Sequence, residues 1–161
     1  IANSTITGDV ASGTGGSGYG AGIFATATLT LSSSIVAGNT ATGGAPDIYG
    51  VGTQVSLGYN IVGNTSLFGF NASTGDQFDI DPLFMSTGLA NNGGPTQTVA
   101  LQSQSPARSG GNCAGNDGSN GYAVIPAVTL DQRGYARTSP GAIGCTVGAF
   151  DMTSIFYGGF E

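Results

Sequence analysis

The feature that most constrains this 161-residue chain is an internal repeat in its first half. Apolar pairs and their Gly-Asn neighbours recur 25 or 26 residues further on: Ile23-Phe24 as Ile48-Tyr49, Leu29-x-Leu31 as Val55-x-Leu57, Ile35-Val36 as Ile61-Val62, and Gly38-Asn39 as Gly63-Asn64. An earlier unit aligns at an offset of 30, and its additional length lies in a Gly-rich run, residues 13–20. Recurrence at a fixed period of about 20 to 50 residues is typical of solenoids.

Each unit contains three short β-prone segments separated by Gly, Asn and Ser. The alternation in Leu29-Thr30-Leu31 is that of a strand with one buried face. We expect left-handed corner conformations at Gly38 and Gly63, and hydrogen bonds from coil to coil through Asn39 and Asn64. A β-sandwich would not repeat the same side chains at this spacing. The pattern predicts an all-β chain, specifically a right-handed parallel β-helix of about 25 residues per coil.

Composition excludes several chemistries. The chain has 30 Gly, no His and only three cations, all of them Arg, with a net charge of −6. Without His there is no Ser-His-Asp triad and no His-ligated zinc, and without Lys there is no Schiff base. Three cations cannot neutralise a nucleic-acid backbone, so nucleic acid is not an expected partner. No apolar run approaches the roughly 18 residues of a membrane span, so none is predicted.

The repeat fades after about Thr65, and the remainder of the chain is irregular. We predict β-helix coils over residues 1–78, an irregular C-terminal cap packed on the last coil over residues 79–151, and an apolar tail over residues 152–161. The chain begins inside a strand-like pattern without Met, which predicts a mature or trimmed fragment of a longer precursor.

A series of motifs in the C-terminal half carries a family resemblance. In order they are Asp81-Pro-Leu-Phe84, Leu89-Ala-Asn-Asn-Gly-Gly-Pro-Thr-Gln-Thr-Val-Ala-Leu101, Ser105-Pro-Ala107, Asp131-Gln-Arg-Gly-Tyr135 and Ile143-Gly-Cys-Thr-Val-Gly-Ala-Phe-Asp151. Over roughly residues 1–151 the chain resembles the choice-of-anchor Q family of bacterial secreted and surface proteins, related to polymorphic outer-membrane-type β-helix proteins. Its last residues, 154–161, are similar to a short Gly-Phe-Glu tail of exported bacterial proteins. The resemblance implies a β-helix and a secreted or cell-surface location in bacteria, but no reaction.

Cys113 and Cys145 are the only cysteines, 32 positions apart. In an exported protein an even cysteine count indicates a disulfide, so we predict that the two are bonded and link the cap internally. Two free thiols are the alternative.

Three acids alternate in the segment Asp76-Gln-Phe-Asp79-Ile-Asp81. Alternate side chains of a strand share a face, and an oxygen cluster can bind calcium, so the three are candidate calcium ligands. The spacings of the EF-hand and of nonapeptide calcium repeats are absent. Solvated or turn-capping acids are therefore the preferred interpretation, and no other cofactor is expected.

Arg133 is the cation most suggestive of a specific role. A buried or bridging pair with Asp131 or Asp151 would attach the cap to the coils. The alternative is a catalytic arginine, but no coherent catalytic constellation accompanies it in the sequence. We expect a structural role and no enzyme activity.

The leading hypothesis is an exported, non-catalytic β-helix protein that is adhesive or assembles head-to-tail into an extracellular fibre. The residues predicted to mediate assembly lie at the two ends of the chain: Ile1, Ile6, Ile155, Phe156, Tyr157 and Phe160. The alternative is a carbohydrate-active enzyme of lyase or hydrolase type, or a polysaccharide-binding module. Its stacking platform would be formed by Tyr19, Tyr49 and Tyr59.

Overall fold

A computed structural model of the chain describes residues 1–67, 69–122, 124–139 and 141–152. This described part is all-β, as predicted, with fourteen short strands, one 3-10 turn at Thr14–Gly16 and no α-helix. The strands are β1 (Thr5–Ile6), β2 (Val10–Ala11), β3 (Ile23–Ala25), β4 (Leu29–Leu31), β5 (Ile35–Val36), β6 (Thr40–Ala41), β7 (Ile48–Gly50), β8 (Gln54–Ser56), β9 (Ile61–Val62), β10 (Gln77–Phe78), β11 (Phe84–Ala90), β12 (Thr98–Leu101), β13 (Gly111–Asn112) and β14 (Ile143–Cys145). None of the described residues forms a helix long and apolar enough to cross a bilayer.

The repeat region is built from parallel pairings between successive units. β1, β5, β9 and β10 form one four-stranded sheet, whereas β2–β6, β3–β7 and β4–β8 are two-stranded. Ile23 lies opposite Ile48, and Ile35 lies opposite Ile61. The predicted pairing of these apolar residues with their counterparts one repeat later is confirmed.

Two details of the predicted repeat are wrong. Each of the first two units contains four strands rather than three, β1–β4 and β5–β8. Leu29 and Leu31 lie opposite Gln54 and Ser56, not opposite Val55 and Leu57. The alignment of apolar residues in the sequence gave the wrong register here, because β8 places polar residues opposite these leucines. The extra residue lies in the following turn, which has four residues between β8 and β9 but three between β4 and β5.

The Gly-rich run is the loop insertion that the sequence predicted. Eleven residues, 12–22, connect β2 to β3, whereas six residues, 42–47, connect β6 to β7. The difference explains why Val10 pairs with Thr40 at an offset of 30 while Ile23 pairs with Ile48 at an offset of 25.

A polar ladder runs along the four-stranded sheet at the residue that precedes each strand. The Ser4 N–H donates to Ser34 Oγ at 3.2 Å, and the Ser34 N–H donates to Asn60 Oδ1 at 3.0 Å. The Asn60 N–H donates in turn to Asp76 Oδ1 at 2.9 Å. Each side chain thus satisfies a backbone donor of the neighbouring unit at a corner, where no strand partner is available.

The corners after these strands differ from one another. Gly38 has φ 73°, as predicted for a left-handed corner, and Asn39 Oδ1 accepts a hydrogen bond from the Asp9 N–H of the preceding unit. The predictions for the next corner are wrong. Gly63 does not have positive φ. The position favours glycine for lack of space instead, because an added Cβ would lie 2.9 Å from the Cβ of Ala37. The Asn64 side chain accepts from Ser66 N–H within its own turn.

Two apolar clusters lie on opposite faces of the four-stranded sheet, because successive side chains of a strand point to opposite sides. The inner cluster comprises Ile23, Leu29, Leu31, Val36, Ile48, Val62 and Phe70. The outer cluster comprises Ile35, Ala37, Ile61, Ala100, Leu101, Ala107, Val147, Phe150 and Met152. β5 and β9 are therefore buried on both faces, which explains their unbroken apolar pairs.

The C-terminal segment, residues 83–152, lies along the side of the four-stranded sheet. The Ala149 N–H donates to Thr5 Oγ1 of β1, and Gln77 Nε2 of β10 donates to the Pro106 carbonyl. The contacts extend from the first strand of the sheet to the last. The predicted boundaries between coils, cap and tail, after residues 78 and 151, stay a prediction.

The C-terminal segment contains two antiparallel pairs, β11–β12 and β13–β14. The predicted disulfide is confirmed: Cys113 and Cys145 are bonded, with an S–S distance of 2.08 Å, and both are fully buried beside β13–β14.

Candidate functional site

Three aromatic side chains meet on the outer face of β3–β7. Phe24 and Tyr49 are direct partners across the two strands, and their ring centroids are 5.5 Å apart. Tyr19, from the Gly-rich loop, stacks on Tyr49 with a centroid distance of 4.9 Å and an interplanar angle of 27°. Phe24 is 57% exposed, whereas Tyr19 and Tyr49 are half-buried, so the group reaches solvent mainly through Phe24. We call Tyr19, Phe24 and Tyr49 the aromatic cluster.

Two of the three tyrosines predicted to form a stacking platform contact each other, and the binding role of the platform stays a prediction. Tyr19 and Tyr49 come together, but Tyr59 lies over Gly75, where an added Cβ would be 2.6 Å from its ring. Phe24 was missed, although its alignment with Tyr49 in the repeat was a usable signal.

A cleft of about 470 Å³ lies between β1 and the β11–β12 hairpin. Its walls combine apolar side chains with hydroxyls and amides, and none of its twelve residues is ionisable. They are Thr5, Thr7, Gly8, Phe84, Gly88, Leu89, Gln97, Thr98, Val99, Gln132, Ala149 and Phe150. The cleft offers shape, hydrogen bonds and apolar contact to a ligand, but its side chains offer no general acid or base.

Arg133 is buried, with 5% exposure, and pairs with Asp131. Its Nε and Nη2 donate to Asp131 Oδ2 at 2.8 and 2.6 Å, and Nη2 also donates to the Asp151 carbonyl at 2.7 Å. The guanidinium lies 3.9 Å above the centroid of the Phe150 ring. Nη1 donates to the Asn92 carbonyl at 3.2 Å. The predicted buried pair with Asp131 is therefore present, and these contacts join three parts of the C-terminal segment to one another, at Asn92, Asp131 and Asp151.

Arg137 is the second buried cation. Its three nitrogens donate to the carbonyl oxygens of Leu130, Thr146 and Gly148 at 2.7 to 3.1 Å. Burial lowers the pKa of the Arg137 guanidinium, and the charges of Asp151 and Asp131 offset part of this effect. Each of the three guanidinium nitrogens thus has a backbone acceptor, and the side chain holds together the segments that carry these carbonyls.

The three calcium candidates are not brought together. Asp76 accepts hydrogen bonds from Ser56 Oγ and from the Asn60 and Ser73 amides, while Asp81 accepts from the Leu83 N–H. Asp79 accepts from the amide and hydroxyl of Thr65, and these bonds lower the pKa of Asp79. No group of three acidic, Cys or His side chains suited to a metal occurs in the described ranges. The alternation of acids in the sequence does not produce a shared face of carboxylates, because each of the three carboxylates accepts hydrogen bonds in a different turn.

Asp47, the last residue of the β6–β7 connection, is a buried acid with 1% exposure. Burial raises the pKa of its carboxyl above the ordinary 3.8, and hydrogen bonds from Asn39 and Asn64 offset part of this shift. The Asn39 amide and Nδ2 both donate to Asp47 Oδ1, at 3.2 and 2.8 Å. The folded chain therefore binds a proton at Asp47 more tightly than the unfolded chain does.

This shift predicts a pH-dependent difference between the natural chain and an Asp47→Asn variant. The contribution of a raised pKa to stability is complete below pH 3.8 and is lost as pH rises through the folded-state value. We expect the unfolding free energy of the natural chain, relative to the variant, to fall across this window at up to about 1.4 kcal/mol per pH unit. Urea unfolding of both chains across the acid range measures it, and a constant or rising difference would contradict the prediction.

Of the residues predicted to mediate assembly, the structure describes only Ile1 and Ile6. Ile1 is 47% exposed, and its amino group donates to the Thr30 carbonyl at 2.8 Å. Ile6 is half-buried and packs against the inner cluster. Ile155, Phe156, Tyr157 and Phe160 lie outside the described residues.

These observations define an all-β protein with parallel repeat pairings, a disulfide, and an exposed aromatic cluster. Comparison of the chain with known protein families, curated proteins and solved structures finds no match.

Proposed function

We propose that the chain is a right-handed parallel β-helix of about 25 residues per coil that serves as a non-catalytic structural or adhesive element outside the bacterial cell. The observation that carries the proposal is the set of four parallel ladders that pair β1–β4 with β5–β8. The polar ladder at Ser4, Ser34, Asn60 and Asp76 supports it, because only stacked units bring these side chains to the neighbouring backbone.

The use of charge supports a structural role. Arg133, Arg137, Asp131 and Asp151 are each at most 6% exposed and hold backbone segments together. The neutral lining of the 470 Å³ cleft supports the non-catalytic part of the proposal, since such a lining suits binding rather than proton transfer.

The disulfide supports the extracellular part of the proposal, because such bonds persist mainly in oxidising compartments. Membership of the choice-of-anchor Q family is proposed on the motif resemblance alone. The resemblance and the disulfide point to the same bacterial surface or secreted setting.

We further propose that copies of the chain add to one another through strand edges. Among the described strands, β1–β4 each pair on one side only. An unpaired edge is a template for another strand, and a head-to-tail contact that does not close produces a fibre. The partner in this proposal is a second copy of the chain.

Electron microscopy of the purified 161-residue chain at high concentration tests this assembly. We expect filaments from the natural chain and their loss in a Val10→Lys variant, because Val10 is 72% exposed on β2 and a lysine on an edge strand opposes strand addition.

A matched control is Val124→Lys, since Val124 is 70% exposed but lies in the C-terminal segment. Filaments are expected to persist in this control. Monomers alone in the natural chain at every concentration would refute the assembly proposal.

A further inference from the structure

We propose that the aromatic cluster of Tyr19, Phe24 and Tyr49 is a binding platform for an uncharged polysaccharide, which it contacts through the apolar faces of the sugar rings. The platform is part of the regular strand pairing, because Phe24 and Tyr49 are direct partners between β3 and β7. Their inward neighbours, Ile23 and Ile48, are buried in the inner cluster and anchor both strands. The rings therefore project from a packed sheet.

The three rings of the cluster support one another by direct contact. The centroid separations of 4.9 and 5.5 Å lie in the range that aromatic pairs prefer. Tyr19 covers Gly43, where an added Cβ would lie 2.9 Å from its Cζ, so this ring is supported by backbone as well as by Tyr49. Rigid aromatic surfaces bind with little loss of side-chain entropy.

The chain segments that carry the cluster contain almost no charge. Residues 18–31 and 43–58 contain one ionisable acid, Asp47, and no Lys or Arg. Asp47 is 1% exposed and therefore presents no charge at the surface. The whole chain carries a net charge of −6, which repels an anionic polymer. An uncharged glycan fits this surface better than an acidic one.

Hydroxyl groups suited to a sugar follow the two cluster strands. Thr26 and Thr28 are exposed between β3 and β4, and Thr53 is exposed between β7 and β8. The tyrosines add their own phenolic hydroxyls, which leaves each ring apolar over its face and polar at its tip. Aromatic faces with a few polar groups are the usual composition of a small-molecule binding surface.

The experiment is affinity electrophoresis of the natural chain through gels that contain hydroxyethylcellulose, galactomannan or polygalacturonate. We expect at least one of the two neutral polymers to retard the chain and polygalacturonate not to do so. Phe24→Ala is expected to weaken the retardation about tenfold or more, because it removes the most exposed ring of the cluster. Tyr49→Ala is expected to weaken it to a similar extent, because it removes the ring against which Tyr19 and Phe24 both pack. Tyr122→Ala is the control, since Tyr122 is 46% exposed outside the cluster.

Circular dichroism checks that each variant folds, and Phe24→Ala serves as the primary test because Phe24 is mostly exposed. The same gels run with Val10→Lys separate binding from filament formation, and retardation is expected to persist there. Absence of retardation by both neutral polymers would overturn the proposal. Equal retardation of Phe24→Ala and Tyr122→Ala would also overturn it, as would loss of self-association in Phe24→Ala without any glycan effect.

Discussion

Replacement of Arg133 by Met is expected to lower the free energy of unfolding by about 3 to 5 kcal/mol, the usual cost of removing one partner from a buried ion pair. The variant leaves Asp131 buried without its cation and removes the donor to the Asp151 carbonyl. It also removes the charge above the Phe150 ring. Urea denaturation followed by far-ultraviolet circular dichroism measures the loss.

The matched control is Arg108→Met, because Arg108 is exposed and carries the same charge. A change within about 0.5 kcal/mol is expected there. Arg133→Lys is expected to remain strongly destabilised, since one ammonium cannot reproduce the separate guanidinium bonds to Asp131, Asn92 and Asp151. If Arg133→Met and Arg108→Met unfold at the same urea concentration, the buried network does not stabilise the fold.

Removal of the disulfide by the double change Cys113→Ala and Cys145→Ala is expected to cost about 3 to 4 kcal/mol. The bond closes a loop across a separation of 32 residues, and the loss of this restraint enlarges the unfolded ensemble. Thermal and urea unfolding with and without a reducing agent measure the effect.

The reducing agent supplies the control for this prediction. The natural chain is expected to shift toward the stability of the double variant when reduced, whereas the variant is expected to be insensitive. A double variant as stable as the oxidised natural chain would show that the C-terminal segment is restrained by its packing alone.

The pairing of β3 with β7 and of β5 with β9 was predictable from sequence because the inward residues are apolar in both units. Ile23 recurs as Ile48, and Ile35 recurs as Ile61. The β4–β8 register was not predictable in this way. There a buried leucine lies opposite Gln54, whose side-chain amide donates to the Gly50 carbonyl. Polar residues opposite both leucines, Gln54 and Ser56, displaced the alignment by one residue.

For the buried arginines, too, only some of the contacts could be predicted from the sequence. Arg133 and Asp131 are two positions apart, so their pairing could be inferred from sequence. The contacts of Arg137 could not, because its acceptors are backbone carbonyls, which carry no residue-specific signal. The aromatic cluster was half predictable: Phe24 and Tyr49 share a repeat position, but the approach of Tyr19 depends on the course of the Gly-rich loop.

The path of the C-terminal segment along the sheet has a consequence for cooperativity. Stacked units that contact only their neighbours can open one at a time from either end. Here the Ala149 N–H is hydrogen-bonded to Thr5 in β1, the first strand of the sheet. Val147 and Phe150 pack in one cluster with Ile35 and Ile61 of the two central strands. The Pro106 carbonyl is hydrogen-bonded to Gln77 in β10, the last strand of the sheet. The C-terminal segment thus contacts every strand of the four-stranded sheet. Separation of a single unit must also detach this segment, so the repeats lose their independence and unfold together.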